Sequence, residues 1–345
     1  MPAPDWTPAA PRFRLIDAPS PLQRLDRLTA ALREEIGSAA PEIWCKREDL
    51  LPVGLGGNKL RNLEFHLGAA LANGATSVVT AGRRWSNHCR LTAAAGAMAG
   101  LRVELVLSGP PLDPPGPSEQ LSVHYGAIVH RCLTDDRAER EARLATVMAA
   151  AESAGERPYL IPLGGSGLSG VLGQVAAALE CDRQLTAHGV DPAAVVLPTA
   201  TGGTQAGLLA GFRLAGRTVP VIGIAVGASG RDLGPVVAGL AREIAAFIAG
   251  QSGGEAIGDR DPGPAVTIED AWIGDGYGRR SADAEAAARL IARTEGIIVD
   301  PIYTAKAMAG TLALIARGAI GTGGPVVFWH AGGTLGVLEP LVGED

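Results

Sequence analysis

The chain has 345 residues, 47% hydrophobic and 19% charged, which is long enough for one large or two smaller α/β domains with real cores. A formal net charge of −6 without any clustered Lys/Arg run excludes a nucleic-acid or anionic-membrane surface, because phosphate binding needs grouped cations. Four widely spaced cysteines, Cys45, Cys89, Cys132 and Cys181, form no CxxC pair and have no paired histidines at metal-ligand spacing, so they are expected to be free thiols in a reducing compartment, with no metal.

Residues 1–14 are rich in Pro and Ala and lack the charged start and apolar core of a signal peptide. No run of 18 uncharged apolar residues follows, and the expected location is the cytoplasm. Residues 44–49, WCKRED, read as a charged strand end in which Lys46 makes a surface ion pair. The segment LGGNKLR then places a Gly pair before Lys59 and a helix over 60–71.

Short β-branched runs alternate with Ala- and Leu-rich amphipathic stretches from there on. A strand over 77–81 precedes a helix over 87–99, and a strand over 103–108 follows. The pairs 127–133 and 138–154, 159–162 and 171–187, 195–198 and 204–214, 219–226 and 235–248, and 297–299 and 304–317 repeat the unit, before a last strand over 326–329. This spacing predicts an α/β fold of mostly parallel, helix-covered sheet, with chemistry in the loops beyond strand carboxyl ends. Residues 250–264 read as a flexible linker or surface loop, being rich in Gly, Asp and Pro.

Three lysines, Lys46, Lys59 and Lys306, stand against 27 arginines. Only Lys can shed its proton near neutral pH and form an imine with an aldehyde. Lys59 beside glycines is the strongest of the three, although a Gly-rich turn can equally carry a solvated lysine; Lys306 reads as structural. PTATGGTQ after the strand at 195–198 offers hydroxyls and helix-start N–H groups to a phosphate dianion, or simply a capped turn. GRRWSNH joins a strand to a helix that Ser86 can cap, and the same hydroxyl can bind a carboxylate or relay a proton. GSGLSG at 165–170 is formally GxGxxG, but the next strand ends in Pro198-Thr199 and offers no acid for a ribose, which weakens a dinucleotide-binding dehydrogenase. No GxSxG elbow supports a serine hydrolase.

The segments GGNKLRNLEF, WSNHCR, ATGGTQAGL, YG and EGIIVDPIYTAKAMAG, in that order and spacing, resemble the family of D-cysteine desulfhydrase and aminocyclopropane-carboxylate deaminase, over roughly residues 21–337. The resemblance implies a pyridoxal-phosphate enzyme of the tryptophan-synthase-β fold type. Its large cofactor domain is expected over 1–55 and 171–345, and a small mobile domain over 56–170. By the likeness Lys59 is the Schiff-base lysine, Thr201, Gly202, Gly203 and Thr204 grip the cofactor phosphate, and Asn87 lies beside the pyridine hydroxyl. Ser86 falls on the active-site serine that meets the substrate carboxylate, and Tyr277 and Tyr303 on two catalytic tyrosines.

The deaminase branch looks like SNQ and DPVYEGK and the desulfhydrase branch like SNH and DPVYTGK; this chain has His88 and Thr304. A hydroxyl at Thr304 holds a pyridine nitrogen protonated less strongly than a carboxylate, which tilts the reading to β-elimination on a small β-substituted amino acid such as D-cysteine. Ring opening and β-replacement stand as alternatives, and relatives imply a homodimer. The chain departs from the family at Arg83, Arg84 and Trp85, where smaller or neutral residues are usual, and adds methyl groups at Ala200 and Ala305. Arg84, Trp85 and His88 are therefore expected at the substrate, and one of the two arginines is expected to accept a second anionic group on it.

Overall fold

The computed structural model describes residues 8–251, 265–321 and 323–340. In chain order its elements are β1 (Leu22–Arg24), α1 (Asp26–Ile36), β2 (Ile43–Arg47), α2 (Lys59–Ala72), β3 (Ser77–Arg83), α3 (Asn87–Met98), β4 (Arg102–Ser108), α4 (Pro117–His124), β5 (Ile128–Cys132) and α5 (Arg137–Ser153). The second half continues with β6 (Pro158–Leu160), α6 (Leu168–Ala187), β7 (Ala194–Thr199), α7 (Gly203–Leu214), β8 (Val221–Ala225), α8 (Gly230–Gln251), β9 (Thr267–Glu269), α9 (Ala282–Glu295), α10 (Thr304–Ala316) and β10 (Val326–His330).

The strands form two sheets. Six lie in the order β1-β2-β10-β7-β8-β9, parallel except for the β1 edge, and four in the order β5-β4-β3-β6, all parallel. Parallel strands are joined by helices that cover both faces, so their central members read as continuous apolar runs. VVFWH in β10 and VIGIA in β8 are buried at every position. One layer, with Ile43, Val196, Ile224 and Phe328, packs against α1, α9 and α10; the other, with Val195, Leu197, Val327 and Trp329, packs against α6, α7 and α8. The α8 helix is long and apolar enough to cross a membrane by length and composition, and here Val237, Ala241, Ile244 and Ile248 lie in the second layer.

The predicted α/β alternation and mostly parallel sheets hold. Residues 297–299 form no strand, however: Ile297 and Val299 are buried while Ile298 is exposed, and the Ile298 carbonyl bonds the His330 side chain of β10 at 2.8 Å. The 250–264 loop lies almost wholly outside the described residues. Lys46 is a correction of kind: it is fully buried, and its ammonium donates to Glu180 Oε1 at 2.5 Å, Gln184 Oε1 at 2.7 Å and the Ser20 carbonyl at 2.7 Å. Arg61 joins this cluster with bonds of 2.8 Å to each of Glu48 and Glu180, tying the first turn of α2 to α6 and to the segment after β2. Charges taken out of water persist only when paired in this way, and the network sets the position of the helix that begins at Lys59.

Candidate active site

Backbone constraint delivers Lys59. Gly56 has φ +72°, and a Cβ there would stand 2.0 Å from the Asp49 carbonyl oxygen, so only glycine permits the approach. The Asn58 N–H donates to the Ala331 carbonyl at 2.9 Å, strapping the turn before α2 to the segment after β10. Lys59, first residue of α2, thereby enters a cavity of about 330 Å³ lined by both sheets' carboxyl-end loops. Its ammonium donates to the Gly164 carbonyl at 2.9 Å, and loss of hydration lowers its pKa from 10.5 to about 8. Neither other lysine lines the cavity: Lys46 is held in the buried network, and Lys306 donates to the carbonyls of Ile273 and Gly276 at 2.7 and 2.9 Å, shaping the turn that carries Tyr277.

The N-terminus of α7 forms one wall. Gly202 is left-handed at φ +80°, no side chain caps the helix, and Thr201, Gly202 and Thr204 line the cavity. Ser166 Oγ donates to Thr201 Oγ1 at 2.7 Å and Asn58 Nδ2 to Thr204 Oγ1 at 2.9 Å, so the α7 loop is braced from both the lysine turn and the 163–167 loop. Uncapped N–H groups at a helix start are anion donors, aided by the helix dipole.

A second helix start, that of α3, lies across the cavity. Ser86 is its N-cap, its Oγ accepting from Cys89 N at 3.2 Å, and Gly82 leaves the room: a Cβ there would be 2.8 Å from Ser86 Oγ. Buried His88 is the second residue of this helix. The Thr80 hydroxyl donates to the Ile161 carbonyl at 2.8 Å and so accepts from His88 Nε2 at 3.0 Å. That assigns the proton to Nε2 and leaves buried Nδ1 as an acceptor with no protein partner. Burial first, then the charge of Lys59, keeps His88 well below its usual pKa and neutral.

Tyr277 and Tyr303 close the site from the large sheet, ring centroids 5.8 Å apart and hydroxyls hydrogen-bonded to each other. Burial raises the pKa of both phenols. Trp85 and Ile302 pack with them in a small apolar cluster.

Nine residues singled out in the sequence thus share one cavity: Lys59, Ser86, Asn87, His88, Thr201, Gly202, Thr204, Tyr277 and Tyr303. Four do not line it. Gly203 lies behind the α7 loop, where a Cβ would be 2.9 Å from Ser166 Oγ. Thr304 is fully buried, its hydroxyl donating to Asp300 Oδ1 at 2.6 Å, so it acts first on Asp300, whose other oxygen accepts the Ile302 and Tyr303 N–H groups at 3.0 Å. Trp85 supports Tyr277 from behind, at 6.3 Å between centroids. Arg84 is buried away from the cavity, donating to the Pro340 carbonyl at 3.3 Å, whereas its neighbour Arg83 faces the cavity.

Sequence reasoning missed Gly164, Asp135 and Arg140, all cavity-lining. GSGLSG, discounted as a dinucleotide motif for want of an acid after the next strand, serves packing here. The Gly165 carbonyl accepts from Asn62 Nδ2 at 2.8 Å, and a Cβ on Gly170 would stand 2.1 Å from that carbonyl, so these glycines pack the loop against α2 and α6 rather than cradle a dinucleotide.

Pyridoxal phosphate suits this donor set. A lysine amine with a lowered pKa can bond its aldehyde, an uncapped helix start its phosphate, and Asn87 with the unpartnered His88 Nδ1 supplies polar contacts between them. Residues 14–332 match the family model described as pyridoxal-phosphate dependent enzyme. The chain belongs to that family, and it is a pyridoxal-phosphate-dependent lyase-type enzyme of the α/β architecture described above. More narrowly, it is 37% identical over 334 residues to a D-cysteine desulfhydrase of Klebsiella pneumoniae subsp. pneumoniae, covering 94% of each chain, and equally identical over 336 residues to that of Yersinia pestis. A solved structure of an ACC deaminase homologue superposes with a TM-score of 0.83 at 30% identity, covering 96% of this chain and 94% of the other. Threonine deaminase isoform 2 of Solanum lycopersicum, at 17% identity and TM-score 0.60 over 91% of this chain and 79% of that one, shares the fold.

Proposed function

We propose that the protein catalyses β-elimination on a small β-substituted amino acid of the D-cysteine type, releasing a keto acid and ammonia, with sulfide as the co-product from D-cysteine itself. The observation that carries it is the convergence of the Lys59 amine, the Ser86 hydroxyl and the Tyr277–Tyr303 pair on one cavity between two uncapped or serine-capped helix starts.

Bound pyridoxal phosphate supplies an electron sink for the pair left when the α-proton departs. The chain does the rest. Lys59 is the covalent anchor, and once released its amine, or Ser86, takes the α-proton; an ammonium that titrates near 8 can both accept and return a proton at neutral pH. The start of α3 receives the α-carboxylate, with Ser86 and Asn87 orienting it. Thr201, Gly202, Gly203 and Thr204 hold the phosphate from the start of α7. Tyr277 and Tyr303, kept protonated by burial, hand a proton to the leaving group, and Trp85 holds Tyr277 in place.

The cofactor domain is assigned to 1–55 and 171–345 and the mobile domain to 56–170, a division supported by the six- and four-stranded sheets. A cytoplasmic homodimer completes the proposal, resting on the family resemblance; light scattering tests the dimer. The test of function is the visible spectrum of the purified protein during addition of D-cysteine, with pyruvate assayed in the same cuvette. A shifting band with accumulating pyruvate is expected. A band that shifts without keto acid from D-cysteine, but with keto acid from 1-aminocyclopropane-1-carboxylate, reassigns the enzyme to ring opening.

A further inference from the structure

One charged cluster in the cavity has no part in the steps above. Arg83 at the carboxyl end of β3, Asp135 just before α5 and Arg140 in the first turn of α5 line the wall contributed by the four-stranded sheet. The Arg83 guanidinium stands over the rings of Trp85 and Tyr277, 5.8 and 5.9 Å from their centroids, and contacts the Asp135 carboxylate. Arg140 donates from Nη1 to Ser108 Oγ at 3.2 Å, at the end of β4. Two guanidiniums and one carboxylate thus share this wall, the Asp135 side chain 53% exposed and that of Arg83 only 20% exposed.

The wall therefore keeps surplus positive charge inside the site. The phosphate and the α-carboxylate already have their places at the starts of α7 and α3, so this charge is left for a third anion. A thiol or hydroxymethyl side chain offers it nothing, whereas a planar guanidinium pair matches an oxyanion with several acceptor oxygens. Tyr277, against which Arg83 is stacked, places that anion next to the phenols proposed to serve the leaving group.

We propose that Arg83 and Arg140 bind an anionic group on the substrate's β-carbon, making the preferred substrate a small amino acid with a sulfonate side chain. This rests on the β-eliminating reading and names its substrate class. A carboxylate on the β-carbon has no route out as an anion, but a sulfonate does: the α-proton passes to a cavity base, the Cβ–S bond breaks, and its electron pair leaves with sulfur as sulfite. One water then converts the released enamine to pyruvate and ammonium, so 3-sulfoalanine and water give pyruvate, ammonium and hydrogen sulfite, with no oxidant or reductant required.

The test uses the holoenzyme with D- and L-3-sulfoalanine beside D-cysteine, reading pyruvate and sulfite release. Wild-type protein is expected to show a higher kcat/KM for one 3-sulfoalanine enantiomer than for D-cysteine. Arg83→Gln and Arg140→Gln are each expected to lower that ratio roughly 10- to 100-fold, the span of a charge-assisted hydrogen bond, mainly through KM. Arg83→Lys recovers part of it, and an unchanged cofactor band reports an intact site. Turnover of D-cysteine without turnover of, or competition by, either 3-sulfoalanine enantiomer overturns the inference and leaves the lyase reading standing. A ratio unmoved in both glutamine variants overturns it as well. No pyruvate from any of the three compounds sinks both readings.

Discussion

Lys59 provides the sharpest quantitative expectation, because its chemistry depends on being uncharged. Burial lowers its pKa from 10.5 to about 8. At pH 7.5 roughly a quarter of the Lys59 side chains are then free amine, against about one in a thousand for a solvated lysine, so the concentration of nucleophile is some 200-fold higher. Cofactor-stripped protein is expected to take up pyridoxal phosphate at a rate that climbs from pH 6 and levels off above about 8. Borohydride trapping followed by peptide mass spectrometry is expected to find the label on Lys59 and on neither Lys46 nor Lys306, both of which already spend their protons on carbonyls and a carboxylate. The sign for stability follows: an unfolded Lys59 binds its proton more tightly than the folded one, so the stripped protein gains stability as pH rises from about 8 toward 10.5. An inflection near 10, or label on Lys46 or Lys306, refutes the reasoning.

Three other changes have defined outcomes. Burial alone would raise the Glu180 carboxyl, but bonds and charge from Arg61 and then Lys46 outweigh it and hold it at about 2 rather than 4.5; the difference is worth roughly 3 kcal/mol, present above pH ~4.5 and lost as pH falls through ~2. Glu180→Gln is therefore expected to lower Tm by about 4 °C for cooperative melting of a chain this long, and calorimetry showing no change at pH 7 contradicts it. Gly202→Ala forces an alanine to φ +80° with its Cβ 2.9 Å from Val237 Cγ2, so equilibrium dialysis should show about tenfold weaker cofactor retention, at a strain of roughly 1–2 kcal/mol. Ser86→Ala removes the cap on Cys89 N, costing about 1 kcal/mol in denaturant melts, and is expected to cut kcat about 100-fold or more while the cofactor band survives; full activity removes Ser86 from proton transfer.

Much of the site was legible in the residues because the features that make it are local. A glycine pair before Lys59, a serine before the Asn87 helix and a Gly-Gly-Thr turn at α7 each specify a helix start within a few residues, and helix starts are where anions are bound. Alternation of β-branched and Ala/Leu-rich runs likewise specified the α/β class and the parallel sheets, since each run reports the burial of its own two faces. Only tertiary structure decided which side chains meet. Nothing local distinguishes Arg83 from Arg84, yet strand alternation sends one into the cavity and the other to Pro340. Lys46 was expected on the surface but is sealed beside Glu180, a partner 134 residues along the chain, whereas Thr304, expected at the cofactor, has its hydroxyl turned to Asp300 only 4 residues earlier. Asp135 and Arg140 enter the site only because β5 pairs with β4 and β4 with β3, bringing the start of α5 to the same carboxyl-end side of the sheet where Arg83 ends its strand. Residue type and spacing determine which chemistry the chain carries; the packing of distant elements, which local pattern does not encode, decides where each charge points and therefore which substrate it meets.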